Sequence, residues 1–199
     1  VRLQAEMAQR ATDPAERAET LDPLRAGLVR ASHLVEQLLA MARLDAAPAT
    51  GSVEPVDLLE IAKRVVAEFA PIADDRNLDL GLLPSTAVTV VGDPGELRTL
   101  VGNLVDNALR YTPAGGQVDV QVQRIGEEAV LTVSDTGPGI PATERVRVFD
   151  RFYRGVDVAT PGSGLGLAIV RRVADRSQAT VRLEDAEPGP GLRIIVRWP

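Results

Sequence analysis

Two glycine-punctuated stretches, in fixed order, constrain this chain more than anything in its composition. Asp135-Thr136-Gly137-Pro138-Gly139-Ile140 sets a carboxylate at a strand end before a glycine hinge, and Gly162-Ser163-Gly164-Leu165-Gly166-Leu167 opens an apolar helix. Glycines let the backbone approach a ligand where a Cβ would clash, and the unpaired N–H groups of a helix start attract anions. A carboxylate for a purine amino group and a loop for phosphates make an ATP site the first expectation. A third segment stands upstream, Asn103-Leu104-Val105-Asp106-Asn107-Ala108-Leu109-Arg110-Tyr111-Thr112. Its apolar period is helical, so Asn103 and Asn107, four residues apart, share one face.

The 199 residues suffice for one substantial core and a smaller unit. Hydrophobic content of 45% with 25% charged residues is that of an ordinary globular protein. The net charge of -6 argues against a nucleic-acid partner, because neutralising phosphates with Lys and Arg supplies most of the non-specific affinity. With no cysteine, disulfides and thiolate metal sites are excluded. No apolar run approaches the roughly 18 residues of a membrane span, so direct membrane contact is not expected. The chain opens at Val1 inside an apparent helix, and it reads as a fragment of something longer.

Three regions are expected. Residues 1–45 read as a helical hairpin, the second helix starting at Asp13-Pro14 with Glu16 as a capping partner. Leu21, Leu24, Leu28, Ala31, Val35, Leu38 and Ala42 form a heptad stripe that a lone hairpin cannot bury, so a second copy is expected to complete a four-helix bundle. Residues 46–55, rich in Ala, Pro, Gly and Ser, read as a linker. Beyond it, helices are expected at 56–69, 96–111 and 166–175, and strands at 78–83, 88–91, 117–123, 129–134, 180–183 and 192–196. The third and fourth strands should pair as a hairpin across Gly126. The pattern predicts an α+β fold, a two-layer sandwich with the helices on one face of a mixed sheet, over 56–199.

The three opening segments, in this order, resemble the N box and the two glycine boxes of the Bergerat ATP-binding fold. Between the glycine boxes, Val148-Phe149-Asp150-Arg151-Phe152-Tyr153-Arg154 resembles the F box of sensor histidine kinases, and the heptad hairpin is similar to their dimerisation hairpin. Each box alone is a weak signal, and four in order are a strong one. An isolated Asp-Thr-Gly-Pro-Gly can equally be a tight turn, and an Asn pair can simply face solvent. Within the resemblance, Asp135 accepts from the adenine amino group, with Gly137 and Gly139 as the hinge beneath the base. Asn107 ligates Mg2+ and Asn103 is a second contact, while Arg110 and the lid residue Arg154 reach phosphates. Tyr111 either lines the adenine and ribose pocket or is a partly buried amphipathic core residue. Gly162, Gly164, Leu165, Gly166 and Leu167 hold phosphate by their backbone. Residues 141–163 should form a lid that Phe149 and Phe152 pin to the core.

The resemblance implies a histidine kinase: the γ-phosphoryl of Mg-ATP passes to a histidine and then to an aspartate of a response regulator. The kinase would be a homodimer and part of a bacterial inner-membrane sensor. The phosphorylated histidine of such enzymes is followed by an acid, whereas His33, the single histidine, precedes Leu34 and falls at the exposed f position of the heptad. The phosphoacceptor is therefore expected upstream of Val1, and no catalytic residue is assigned within the chain. Two other readings stay open: a dimeric pseudokinase scaffold, and another Bergerat-fold ATPase or serine kinase.

Overall fold

The computed structural model describes residues 21, 27, 31, 34–35, 37–45, 53–155, 162–187 and 189–199. It divides into two compact units, Val1–Arg43 and Leu44–Pro199. In the first unit every described residue is helical. Of the stripe, Val35, Leu38 and Ala42 are exposed on this single chain. Leu24, Leu28, His33 and the expected start at Asp13-Pro14 lie outside the described residues.

Among the described residues the second unit holds seven strands, three α-helices and a short 3-10 helix at Arg147–Phe149. β1 (Glu54–Asp57) and β3 (Thr89–Gly92) form an antiparallel ribbon. The main sheet has the order β2 (Asp79–Leu82), β4 (Gln117–Ile125), β5 (Glu128–Asp135), β7 (Leu192–Trp198), β6 (Thr180–Asp185). Only the β2–β4 pair is parallel, so the sheet is mixed as expected. β4 and β5 turn at Gly126, which is left-handed at φ 63°. Alternation sets the core face: Val118, Val120 and Val122 of β4, Leu131 and Val133 of β5, and Ile194, Val196 and Trp198 of β7 are buried.

Helices α1 (Leu58–Asp75), α2 (Pro94–Tyr111) and α3 (Gly166–Arg176) pack side by side on the sheet with α2 in the middle. The central place of α2 follows from its sequence: Leu97, Leu100, Val101, Leu104, Val105 and Leu109 form a wide apolar face and are fully buried. Each such leucine contributes about 1.5–3 kcal/mol over an exposed one. Aspartates start the first two helices. The Asp57 carboxylate accepts from the Leu59 and Glu60 N–H groups, and Asp93 accepts from Gly95 and Glu96, with Pro94 in the first turn. At the C-terminal ends, Arg76 Nη1 donates to the Leu109 carbonyl at 2.9 Å, tying α1 to α2.

Two segments differ most from the sequence reading. Glu54 and Pro55, read as linker, and Val56 and Asp57, read as the start of a helix, are strand residues, because pairing with β3 overrides their local composition and Asp57 caps the helix that begins at Leu58. α1 also continues past Phe69 through Pro71 to Asp75. Proline removes one backbone bond there, and buried Ala73 together with the Arg76 tie holds the final turn in place.

Candidate functional site

Asp135 is the last residue of β5, the middle strand of the sheet, and its side chain is buried at 7% exposure. Backbone donors hold one of its oxygens. The Gly137 N–H donates to Oδ1 at 2.9 Å, and the Leu192 N–H approaches the same atom at 3.4 Å. Oδ2 makes no hydrogen bond among the described residues. Burial pushes the Asp135 carboxyl above its ordinary range, and the two N–H groups pull it partly back. The carboxylate is thus desolvated and oriented, with an oxygen to offer a donor.

The loop after it is fixed by close backbone approach. A Cβ at Gly137 would fall 2.8 Å from Asp135 Oδ1 and 2.9 Å from the Tyr111 carbonyl oxygen, so no side chain fits between α2 and the carboxylate. Gly139 is left-handed at φ 74°. Thr136 anchors the other side: its N–H donates to the Gln117 carbonyl at 3.1 Å, and its hydroxyl accepts from the Gln117 N–H at 2.9 Å. The sequence reading passed over Thr136, and also Gly116, whose Cβ would strike Thr112 Cγ2 at 2.4 Å and Thr136 Oγ1 at 2.7 Å. The Gly115-Gly116 pair before β4 was the available signal.

α2 and α3 are antiparallel. Arg176, near the end of α3, donates through Nε to both oxygens of Glu96 in the first turn of α2, at 3.0 and 2.9 Å. The start of α3 therefore meets the middle of α2, where a Cβ at Gly166 would lie 3.3 Å from Asn103 Oδ1. Asn103 Nδ2 donates to the Thr99 carbonyl at 2.8 Å. Asn107, one turn on and half-buried, makes no side-chain hydrogen bond among the described residues, so its amide oxygen is an uncommitted ligand. A neutral oxygen ligand of this kind suits Mg2+, which keeps several waters. Arg110 is held by Asp106, its Nη2 donating to Oδ2 at 2.8 Å, and both side chains are about three-quarters buried.

The second glycine loop closes this side. A Cβ at Gly162 would lie 3.3 Å from Arg110 Nη1 and 3.5 Å from the Tyr111 hydroxyl, so Tyr111 touches both glycine loops, one with its backbone and the other with its side chain. α3, unlike α1 and α2, has no side-chain cap, which leaves its first N–H groups for an anion. Leu165 and Leu167 are buried in the core, so only their backbone can face a ligand, and the Leu165 N–H already donates to Ser163 Oγ at 3.1 Å.

One expectation is corrected. Phe152 does not pin the lid to the core: it is 63% exposed, with a left-handed backbone at φ 64°. The pin is backbone instead, since the Phe152 N–H donates to the Gly164 carbonyl at 2.9 Å. Gly164 must be glycine there, at φ 69°, with a Cβ point 2.7 Å from the Phe152 carbonyl carbon. Phe149 lies under Arg171, whose guanidinium stands 5.5 Å from the ring centre. Arg154 is exposed two residues beyond Phe152, and 156–161 lie outside the described residues.

A two-layer α+β fold with a carboxylate on its middle strand, an asparagine helix and two glycine loops defines a class of nucleotide-binding ATPases. The comparisons agree. Residues 92–199 match the family of histidine kinase-, DNA gyrase B-, and HSP90-like ATPases. The whole chain is 40% identical to the sensor protein kinase PmrB of Pseudomonas aeruginosa, of which it spans 42%. Among solved structures, the mycobacterial sensor histidine kinase MprB is 37% identical with a TM-score of 0.66, over 74% of this chain and 97% of that one. Full-length ShkA in complex with AMPPNP is 28% identical with a TM-score of 0.74, over 99% of this chain and 41% of that one. The chain belongs to the histidine kinase-like ATPase family, as a sensor histidine kinase catalytic domain.

Proposed function

We propose that Leu44–Pro199 binds Mg-ATP and that the chain works as the kinase core of a two-component sensor. The γ-phosphoryl leaves the β-phosphate oxygen, bonds to an imidazole nitrogen of a histidine, and passes on to an aspartate of a response regulator. The observation that carries this reading is the buried Asp135 carboxylate, with Oδ1 tied to backbone N–H groups and Oδ2 without a protein partner among the described residues. Oδ2 accepts from the adenine amino group above the Gly137 and Gly139 backbone, and Tyr111 lines the sugar side. Asn107, backed by Asn103, would hold Mg2+, which supplies charge neutralisation on the phosphates. Arg110, Arg154 and the N–H groups from Gly162 to Leu167 position the phosphoryl chain. Such a site works by orientation and electrostatics.

In this reading residues 1–45 are the dimerisation hairpin, the segment up to 53 its connection, and 54–199 the catalytic domain, since Glu54 and Pro55 pair with β3. The exposure of Val35 and Leu38, at 52% and 42%, favours a second copy over them. A sensor of this class sits in a bacterial inner membrane, although no helix among the described residues is long and apolar enough to cross one. The pseudokinase and serine-kinase readings gain nothing from relatives that are named sensor kinases.

Two experiments test the proposal. Nucleotide titration of Asp135→Asn by calorimetry must show a large loss, and unchanged ATP affinity would remove Asp135 from the site. By light scattering the full chain should dimerise and a chain beginning at Glu54 should be monomeric. Equal dimerisation of both would take the interface away from the hairpin.

A further inference from the structure

Asp135 is steered by a part of the chain some fifty residues away, the turn between β6 and β7. In the sheet register Leu192 lies opposite both Asp135 and Asp185, so the ends of β5, β6 and β7 meet on one line. Gly191 is buried at that line. A Cβ on it would fall 2.1 Å from the Asp135 carbonyl oxygen, a backbone clash that forces a shift, and 3.0 Å from Ala186 Cβ. The same residue faces the hinge, because a Cβ on Gly139 would lie 3.0 Å from the Gly191 carbonyl oxygen. The Ala186 N–H donates to that oxygen at 3.1 Å and closes the turn. Directly beyond Gly191, the Leu192 N–H reaches Asp135 Oδ1.

A second strut runs to the exit of the hinge. Arg145 Nε donates to the Ile140 carbonyl at 3.0 Å, while its Nη2 pairs with the carboxylate of Asp185 at the end of β6. The segment Asp135–Ile140 is thus gripped at its start by Gly191 and Leu192, in its middle by the Gly191 carbonyl, and at its end by Asp185 through Arg145. These groups also close the β6–β7 turn, and all converge on one carboxylate and the loop that follows it.

We propose that the β6–β7 turn sets base selectivity, with Gly191, Leu192 and the Asp185–Arg145 pair as positioning residues that fix the Asp135 carboxylate and the Gly139 backbone against the amino edge of adenine. This rests on the reading of Asp135 as the base acceptor. Guanine presents a carbonyl where adenine presents its amino group, so a fixed carboxylate repels it, and a displaced one discriminates less. The ratio of ATP to GTP affinity therefore reports carboxylate placement, which general loosening of the fold does not.

The test is calorimetric binding of ATP and GTP, each with magnesium, to the full chain and four variants, Gly191→Ala, Asp185→Asn, Asp135→Asn and the double Gly191→Ala/Asp135→Asn. Gly191→Ala, shown folded by circular dichroism, should lower the ATP:GTP affinity ratio by about fivefold or more, the worth of one hydrogen bond. It should leave the ratio unchanged when added to Asp135→Asn. Asp185→Asn, at a largely exposed carboxylate, tests the second strut without disturbing the core and should lower the ratio by a smaller factor. If Gly191→Ala does not fold, Asp185→Asn decides alone. An unchanged ratio in the folded variants, or equal loss of ATP and GTP binding, overturns the proposal. Should Asp135→Asn itself leave the ratio intact, the base acceptor has been misassigned, a different failure from that of the brace.

Discussion

Asp135 and Arg110 are assigned to opposite ends of the same nucleotide, and the protein holds them in opposite ways. The carboxylate is fixed by main-chain N–H groups and by glycines whose neighbours are backbone atoms, so its position is set by the sheet. The guanidinium is held by a side chain one turn away on its own helix, and the glycine nearest it, Gly162, meets only the far ends of Arg110 and Tyr111. Asp106 is a partner on the same helix, so Arg110 can be shared with phosphate oxygens by side-chain movement alone, with no change of main chain. On the proposed assignment the base end is preorganised by the sheet, whereas the phosphate end rests on side chains that can rearrange.

Four variants and conditions probe that contrast, in descending size of effect. Asp135→Asn should cost about 1.5–3 kcal/mol of ATP affinity, since a charged acceptor is replaced by a donor facing the adenine amino group. A loss under twofold would show that the base end is not fixed as described. Next, Asn107→Ala should weaken binding in magnesium by at least the roughly tenfold that losing even an outer-shell metal partner costs, with little change in chelator. Equal loss in both buffers would make Asn107 a packing residue.

The third concerns pH. Burial raises the folded pKa of Asp135 above its ordinary value of about 3.9, so its contribution to stability is fully present below that value and lost as pH rises through the folded pKa. Burial therefore opposes ionisation of Asp135 as pH rises, and Asp135→Asn, whose Oδ1 can still accept from the Gly137 N–H, should melt at or above the parent temperature at pH 7. The advantage should shrink towards pH 4. A variant markedly less stable at neutral pH contradicts this sign. Smallest of all, Gly162→Ala should change ATP affinity by no more than about 0.5 kcal/mol, because flexible side-chain ends can give way. A tenfold loss there would mean that the phosphate end is as rigid as the base end.

The sequence carried the local motifs better than their supports. The placement of Asp135 at a strand end, of Asn103 and Asn107 on one helix and of the glycines in two tight loops was legible because each motif is a local instruction for backbone shape. The five main-sheet strands and the hairpin at Gly126 were legible from alternation. What escaped was nonlocal. Glu54–Asp57 becomes a strand only because Thr89–Gly92 pairs with it, and Phe152 looked like a core anchor until the fold left it in solvent. Gly191 read as one glycine of a turn, since nothing near it in sequence announces that the Asp135 carbonyl stands where its side chain would be.

β5 is bonded on both edges, to β4 and to β7, along nearly its whole length. Fraying at the rim of the sheet frees β2 or β6 first, while releasing the end of β5 means stripping the sheet from its centre. If Asp135 holds the base as proposed, the carboxylate can leave its place only when the centre of the sheet opens, whereas Arg110 and the turn from Phe152 to Arg154 are held by side chains and one backbone bond and can shift while the sheet stays whole.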